Sequence, residues 1–167
     1  MPPTPASALW RRALTDPALR DLPFKVETGE PDQIILSPHK PRHSLQQARL
    51  VRLLLEHAPG AGEPAVEFAV ETPRGVKVPD VVWISDERAA QIPDDAEASP
   101  VVPEIVVEVL SRSNSGHEMA DKVQLYLERG AREVWLCDAD GRLAFYDASG
   151  ERTASGLASS VPNVVSG

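Results

Sequence analysis

In the first half of the chain, segments whose apolar residues recur at helical spacing alternate with segments whose apolar residues recur at strand spacing. A short helix is predicted near residues 7–15, and strands at 24–27 and 34–36 form a hairpin across the turn cluster 29–32. A longer helix is predicted at about 44–57. Its apolar residues recur at helical spacing and predict one buried stripe, consisting of Leu45, Ala48, Val51, Leu54 and Leu55.

The middle of the chain predicts two further strands and an exposed connection. Residues 65–71 and 76–84 have strand character and are joined by the turn residues 73–75, Pro-Arg-Gly. Residues 86–102 are acidic and contain prolines, which predicts a short helix and an exposed loop. The strand at 76–84 matters most, because it contains an acidic residue among apolar neighbours.

The last part of the pattern predicts a strand, a helix and a hairpin. The strongly apolar run 105–110 is expected at the centre of a sheet. A helix at about 116–129 stops at Gly130, the residue type that commonly follows a helix end. Strands at 133–137 and 143–146 flank an Asp-Gly pair, which is typical of a tight hairpin turn.

Together these elements predict a mixed α/β (α+β) fold with a central mixed β-sheet flanked by helices. The expected division is a helical extension at 1–22, a main domain at 23–148 and a small, polar tail at 149–167. The tail, which begins near Ala148, is either mobile or packs as an irregular cap.

Composition narrows the class of protein. With 167 residues, 42% hydrophobic and 25% charged, the chain suits one globular domain with a real core. No apolar run approaches the roughly 18 residues of a membrane span, and no secretory signal is visible. The single cysteine, Cys137, cannot form an internal disulfide and lies in an apolar run, so we predict a buried thiol and a cytoplasmic location.

The formal net charge of −8 bears on nucleic-acid binding. Proteins usually hold DNA through Lys and Arg contacts to phosphates. An acidic chain can still bind DNA through a local basic patch or through a metal ion held by carboxylates. The charge therefore argues against tight non-specific binding without excluding a nuclease.

Asp80 and Glu108 are the carboxylates that stand out. In a strand at 76–84, Asp80 shares a face with Val78, Val82 and Ile84, and in the next strand Glu108 shares a face with its apolar neighbours. A buried carboxylate costs several kcal/mol unless it is paired or binds a metal. If the strands are neighbours, the pair offers hard oxygen ligands for Mg²⁺. From spacing alone the favoured interpretation is that each acid is solvated near a strand end or paired separately with Lys or Arg.

Lys122 lies on the helix that follows Glu108 and could fold back toward the carboxylates. The alternative is a surface ion pair with Glu118, one turn earlier, worth about 0.2–0.5 kcal/mol. Glu118 has its own structural explanation, because Ser115 and Glu118 match a capping box at the start of the helix.

Several segments in order resemble the Uma-type family of restriction-endonuclease-like proteins within the PD-(D/E)XK nuclease superfamily. The resemblance spans roughly residues 24–147. The matching residues are Glu27, Ile34-Ile35-Leu36-Ser37-Pro38, His43, Gln47, Val78-Pro79-Asp80-Val81-Val82-Trp83, Glu108-Val109-Leu110-Ser111, Lys122, Tyr126 and Gly130-Ala131-Arg132-Glu133-Val134-Trp135.

The resemblance implies a restriction-endonuclease-like core with a metal-dependent phosphodiesterase site. Asp80, Glu108 and Lys122 would be the catalytic residues, and Asp80, Glu108 and the carbonyl of Val109 would hold Mg²⁺, with Mn²⁺ as a substitute. The usual pattern has a lysine two residues after the second acid, where this chain has Leu110. The resemblance places that function on Lys122 of the following helix.

The same resemblance suggests accessory residues. His43 and Gln47 share a helix face and would line the pocket, although a solvated His and Gln at a helix start explain them equally well. Glu27 would add an acid to the site, and a solvated hairpin residue is the slightly favoured alternative. Glu118 could assist as a further acid, and Tyr126 is more simply a packing residue.

The function implied is a Mg²⁺-dependent endonuclease that hydrolyses DNA as a homodimer, the dimer being inferred from the superfamily's need to cut two strands. The rival hypothesis is a catalytically inactive nuclease fold used as a binding or regulatory module. RNA or a nucleotide remains open as the substrate.

Overall fold

The chain folds into helices packed on a central sheet, as seen in a computed structural model that describes residues 5–22, 24–30, 33–111, 114 and 116–167, with side chains from residue 8 onward. The helices are α1 (Pro5–Thr15), α2 (Pro17–Arg20), α3 (Pro41–His57), α4 (Asp86–Ala89) and α5 (Gly116–Glu128). The strands are β1 (Phe24–Gly29), β2 (Gln33–Pro38), β3 (Gly62–Val66), β4 (Val70–Thr72), β5 (Gly75–Lys77), β6 (Val81–Ser85), β7 (Ile105–Val109), β8 (Glu133–Cys137), β9 (Leu143–Asp147) and β10 (Gly150–Arg152).

Within the described residues the central sheet has six strands in the order β10-β9-β8-β7-β6-β3. Of these pairings, β7 with β8 is parallel and the others are antiparallel. The parallel pair needs a crossover, which α5 supplies between the two strands. Every residue of β7 is buried, which confirms the prediction that the apolar run at 105–110 forms the sheet centre.

The two faces of the sheet bury alternate residues of the same strands, as the two-residue strand period requires. One face packs against α3 and the C-terminal segment, and the other face packs against α5. In β7, Val107 and Val109 face α3, whereas Val106 faces Val123 and Tyr126 of α5. Glu108 shares the α5 side with Val106, as expected from its position.

The buried stripe of α3 agrees with the prediction at Leu54, and Val51 packs partly buried against the same cluster, but the rest of the stripe differs. The residues that face inward are Gln46, Leu50, Leu53 and Leu54. Leu45 and Leu55 are 54% and 67% exposed, and Ala48 is also exposed. The run Leu53-Leu54-Leu55 fits two neighbouring stripes equally well, and contact with the sheet selects the one through Leu50.

The predicted strands 65–71 and 76–84 are each divided in two. Glu67, with a φ of +48°, ends β3, and its N–H and that of Phe68 donate to the carbonyls of Asp80 and Pro79. Asp80 therefore lies in a bend immediately before β6 and not within a strand. The prediction of one continuous strand is wrong, and so is the shared strand face predicted for Val78, Asp80, Val82 and Ile84. Pro79 lacks the N–H that a continuous ladder of hydrogen bonds requires.

The short hairpins hold β1 near the sheet. β1 and β2 pair antiparallel as predicted, and β4 pairs with β5. Gly75 allows this arrangement, since its φ is +99° and an added Cβ would lie 2.5 Å from the Thr28 carbonyl oxygen. The Val76 N–H donates to Thr28 Oγ1 at 2.7 Å, which joins β5 to β1.

The connection at 86–102 contains the predicted short helix, α4, but it is only partly exposed. Residues 94–97 are exposed, whereas Ala98, Ser99 and Val102 are buried. Ser99 forms an isolated bridge with Val70, which ties the end of the connection to β4.

The C-terminal tail packs as an irregular cap, one of the two alternatives expected. β10 extends the sheet beside β9, and Ala158, Val161 and Val165 are buried in the cluster on the α3 side. Cys137 is buried as predicted, and burial raises the pKa of its thiol to about 12. In the part of the chain that the structure describes, no helix has the length and apolar character required to span a bilayer.

Candidate active site

A cleft of about 970 Å³ opens where β1, the bend before β6, the end of β7 and α5 meet. Because β6 and β7 are antiparallel, the start of β6 and the end of β7 lie at the same edge of the sheet. This pairing brings Asp80 beside Val109, whose N–H donates to Asp80 Oδ2 at 2.8 Å. The cleft therefore contains residues that are distant in sequence.

Asp80 is 1% exposed and is surrounded by hydrogen-bond donors. Its Oδ1 accepts from Lys25 Nζ at 3.0 Å and lies 3.0 Å from His43 Nε2. Burial alone would raise the pKa of Asp80, but the hydrogen bond from His43 and the charge of Lys25 outweigh it and hold the pKa well below its usual range. Asp80 is consequently an ionised carboxylate at neutral pH.

Glu108 has the opposite electrostatic character. It is 2% exposed, and its Oε1 accepts from the Tyr126 hydroxyl at 2.8 Å and from Lys122 Nζ at 3.4 Å. Burial raises the pKa of Glu108 to about 7, with Asp80 and Glu27 adding to the rise and the lysines opposing it. A carboxylate with this pKa gains or loses a proton near neutral pH.

Glu27 is a buried member of the same cluster. It is 3% exposed, its Oε2 accepts from the Val78 N–H at 2.7 Å and its Oε1 lies 3.3 Å from Lys122 Nζ. Burial opposes ionisation, but Lys122 and Lys25 lower the pKa of Glu27. The interpretation of Glu27 as a solvated hairpin residue is wrong, because β1 turns this face toward β5 and α5.

Lys122 points into the cleft and not along the helix surface. Its side chain is 16% exposed, and its ammonium lies between Glu27 and Glu108. Burial would lower the pKa of Lys122, but the charges of Glu108 and Glu27 raise it above its usual value. The surface pair with Glu118 is therefore the wrong interpretation of Lys122.

The remaining accessory residues divide into two groups. His43 contacts Asp80, and Gln47 Nε2 donates to the Asp80 carbonyl at 3.2 Å, so both hold Asp80 from α3. Glu118 is exposed at the rim of the cleft. Ser115, the expected partner in its capping box, lies outside the described residues.

Lys25 was not predicted as a site residue from the sequence, and Tyr126 was predicted only as a packing residue. Lys25 is two residues before Glu27 and thus on the same face of β1, a signal that strand period could have supplied. Tyr126 lies one helical turn after Lys122, and its fully buried hydroxyl contacts Glu108. Tyr126 therefore packs, as predicted, and also orients a site carboxylate.

The charge of the cleft lining differs from that of the whole chain. The lining includes the following Lys and Arg residues: Lys25, Lys40, Arg42, Arg74, Lys77 and Lys122. Acidic lining residues outside the buried cluster lie at the rim, for example Glu67 and Asp140. Against these six basic residues the lining has seven acidic ones, so the cleft is close to neutral in a chain of net charge −8. Lys40, Arg42 and Arg74 are exposed and provide local cations for phosphate contacts.

The donor set suits a divalent cation of the magnesium type. Among the described residues no group of three His, Cys, Asp or Glu side chains forms a ready metal site. Mg²⁺ needs only one or two carboxylates and retains several waters. Lys25 Nζ lies 3.0 Å from Asp80 Oδ1 and 3.9 Å from Glu108 Oε2, so one cation position is within reach of both carboxylates.

The free energy of unfolding of the metal-free protein is expected to fall as pH rises from 4.5, the usual pKa of glutamate, to about 7. Glu108 holds its proton more tightly in the folded chain than in the unfolded chain, so the folded state loses stability as that proton leaves. The lowered pKa values of Asp80 and Glu27 change the free energy of unfolding only at pH values below this range. The full effect is about 3 kcal/mol, since one pKa unit corresponds to about 1.4 kcal/mol.

Urea unfolding in EDTA at about pH 5 and about pH 7.5 measures this dependence. Glu108→Gln, which cannot ionise, should have a flatter pH profile than the wild type. Equal profiles for the two proteins would mean that Glu108 does not carry the effect.

Comparisons with known proteins agree with this architecture. A solved structure described as a "putative nuclease belonging to DUF820" from Anabaena variabilis ATCC 29413 is similar, with a TM-score of 0.68 and 18% identity. The match covers 84% of this chain and 87% of that one, and at this identity it shows a shared fold. No curated protein matches the sequence significantly. The chain matches the family described as "Uma2: Putative restriction endonuclease" over residues 19–152, most of its length, and it belongs to that family.

Proposed function

We propose that this protein is a Mg²⁺-dependent endonuclease that hydrolyses phosphodiester bonds in DNA. The observation that carries the proposal is the convergence of Asp80, Glu108 and Lys122 at one end of an open cleft. The carboxylates come from neighbouring strands and the amine from the crossover helix. Membership of a nuclease family supports phosphodiester hydrolysis as the reaction.

Asp80, Glu108 and the Val109 carbonyl would hold the Mg²⁺ ion, and Mn²⁺ would substitute for it. When bound, the ion would supply Lewis-acid chemistry for activating a water molecule and for neutralising charge on the scissile phosphate. Asp80 is suited to bind a cation at neutral pH, since its pKa is well below its usual range. Glu108 must lose its proton to do so, and the Tyr126 hydroxyl holds its carboxylate in place.

Lys122 would act on the substrate side of the site. Its ammonium can donate to the attacking water or to a phosphate oxygen as negative charge develops there. Glu27 lies 3.3 Å from Lys122 Nζ and maintains its charge and direction. His43 and Gln47 position Asp80 through its carboxylate and its carbonyl.

The nucleic-acid backbone would follow the basic part of the cleft lining. Lys40, Arg42 and Arg74 line the opening and can contact phosphates on either side of the scissile bond. Glu118, at the rim, would border this path. We extend the proposal to a homodimer, because two active sites would cut the two strands of a duplex. We also propose that the protein acts in the cytoplasm.

A second candidate is a catalytically inactive nuclease fold that serves as a binding or regulatory module. The observation that favours it is the position of Lys25, whose ammonium contacts Asp80 where the metal ion would bind. The buried arrangement of Lys122 with Glu27 and Glu108 favours the enzyme, because such a cluster is costly to bury without a functional role.

Cleavage of supercoiled plasmid, single-stranded DNA and RNA in Mg²⁺, Mn²⁺ or EDTA tests the proposal. We expect metal-dependent nicking by the wild type and a loss of about 10²-fold or more in Lys122→Met, the scale of losing one preorganised donor. Arg132→Met removes an exposed positive charge outside the cleft and is the matched control. Absence of metal-dependent cleavage by the folded wild type on every substrate would favour the binding module.

A further inference from the structure

Lys25 is the cation nearest to the proposed metal ligands. Its ammonium donates to Asp80 Oδ1 at 3.0 Å and to the Val78 carbonyl at 2.9 Å, and it lies 3.9 Å from Glu108 Oε2. The side chain is only 12% exposed. Lys25 thus lies between the two carboxylates that are proposed to bind metal.

We infer that the Lys25 ammonium occupies the metal position between Asp80 and Glu108, so that a divalent ion binds only when Lys25 leaves it. The inference rests on the proposed metal-binding function of this site. The affinity for a metal ion then depends on Lys25 as well as on the carboxylates that bind the ion.

The hydrogen bonds of Asp80 support direct competition. Among its described contacts, Oδ1 already faces Lys25 and His43, and Oδ2 accepts the Val109 N–H. A metal ion that binds Oδ1 has to replace one of these partners. Lys25 is the partner whose full positive charge lies near both carboxylates. The Lys25 ammonium and a divalent ion at this separation would repel each other strongly in a buried site.

The charge balance of the cluster explains why Lys25 lies there. The buried carboxylates of Glu27, Asp80 and Glu108 face the ammonium groups of Lys25 and Lys122. Lys122 bridges Glu27 and Glu108, whereas Lys25 bridges Asp80 and Glu108. Without metal, Lys25 offsets the cost of burying Asp80 beside other carboxylates.

The structure also provides a place for Lys25 to move. Lys25 lines the open cleft, whose lining also includes the exposed basic residues Lys40, Arg42 and Arg74. A lysine ammonium on its flexible four-carbon stem can turn toward solvent or a substrate phosphate without movement of β1. A bound phosphate would therefore give the displaced ammonium a new partner in the same cleft.

The test is titration of the full-length protein with Mn²⁺, followed by electron paramagnetic resonance of the free ion. Lys25→Met and Lys25→Gln are expected to bind Mn²⁺ about tenfold more tightly than the wild type or better, since a competing positive charge is removed. Arg132→Met is the control, because it removes an exposed positive charge outside the cleft. It should stay within about threefold of the wild type.

Melting temperatures in EDTA and in Mn²⁺ provide a second measurement. Lys25→Met should be less stable than the wild type in EDTA and should gain more from Mn²⁺, because bound metal replaces the lost charge. Lys25→Gln keeps a donor for the Val78 carbonyl, so it covers the case in which Lys25→Met fails to fold.

The outcomes separate the two proposals. Tighter Mn²⁺ binding in the Lys25 variants, abolished again by adding Asp80→Asn, supports the inference. Equal or weaker binding in these variants, with measurable binding by the wild type, overturns the inference and leaves the metal site intact. No Mn²⁺ binding by any of the folded proteins overturns both the inference and the proposed metal dependence.

Discussion

Asp80→Asn is expected to lower the rate of metal-dependent DNA cleavage by about 10³-fold or more, the largest effect of any single substitution in the cleft. Asp80 contributes an ionised carboxylate to the proposed metal site, and asparagine removes that charge while keeping the size of the side chain. The new amide also presents N–H groups where Asp80 now accepts from Lys25 and the Val109 N–H. One of these donors loses its acceptor.

Supercoiled plasmid nicking under single-turnover conditions measures this effect, with Mn²⁺ affinity determined in parallel. Asp94→Asn is the matched control, because Asp94 is an exposed acid on the connection before β7 and does not line the cleft. Circular dichroism and melting temperature establish that the variant is folded. A folded Asp80→Asn protein that cleaves at the wild-type rate would place the active site elsewhere.

Glu133→Ala is expected to lower the free energy of unfolding by about 3–5 kcal/mol, a large part of the 5–15 kcal/mol typical of a domain. Glu133 is 5% exposed. Its Oε1 accepts the N–H groups of Gly156 and Leu157, at 2.6 and 2.8 Å. Its Oε2 accepts from Trp135 Nε1 and Ser155 Oγ, at 2.8 and 2.6 Å.

Removing this carboxylate leaves the buried donors without their acceptor and releases the C-terminal cap from β8. Urea unfolding followed by tryptophan fluorescence measures the loss, since Trp135 lies beside the altered site. Glu128→Ala is the control: Glu128 is exposed on α5 and contacts Gln124 of the same helix, so we expect a change within about 0.5 kcal/mol. Equal stability of the two variants would show that the cap is held by its apolar contacts alone.

The sequence predicted those elements whose signals are local. Gly130 ends α5 as expected, and the Asp-Gly pair forms the turn between β8 and β9. The burial of β7 could be predicted because both of its faces are apolar apart from Glu108. The family resemblance was also readable from the sequence, because it depends on the order of short segments.

Predictions failed where two local patterns were equally good. The inward face of α3 passes through Leu50 and Leu53 instead of Leu45 and Leu55, and contact with the sheet made that choice. The strands predicted at 65–71 and 76–84 are each divided in two. They are interrupted at Glu67 and Pro79, where the N–H groups of Glu67 and Phe68 donate across to the carbonyls of Asp80 and Pro79.

The proposed site residues Asp80, Glu108, Lys122, His43 and Gln47 could be named from the resemblance, although their catalytic and metal-binding functions remain predictions. Spacing alone allowed Lys122 to lie on the surface beside Glu118. Lys25 carries no motif, and Glu27 was slightly favoured as a solvated residue. Their positions could not be obtained from local patterns.

The sequence by itself determined the type and order of most elements and which residue types can bind a cation or a phosphate. Only the tertiary structure decided which charges meet: Lys25 lies 55 residues from Asp80, and Lys122 lies 95 residues from Glu27. It also decided their ionisation, since Asp80 and Glu108 have pKa values shifted in opposite directions. The physical reason is that the ionisation of a group depends on its burial and on nearby charges. Both are set by groups distant in sequence that only folding brings together.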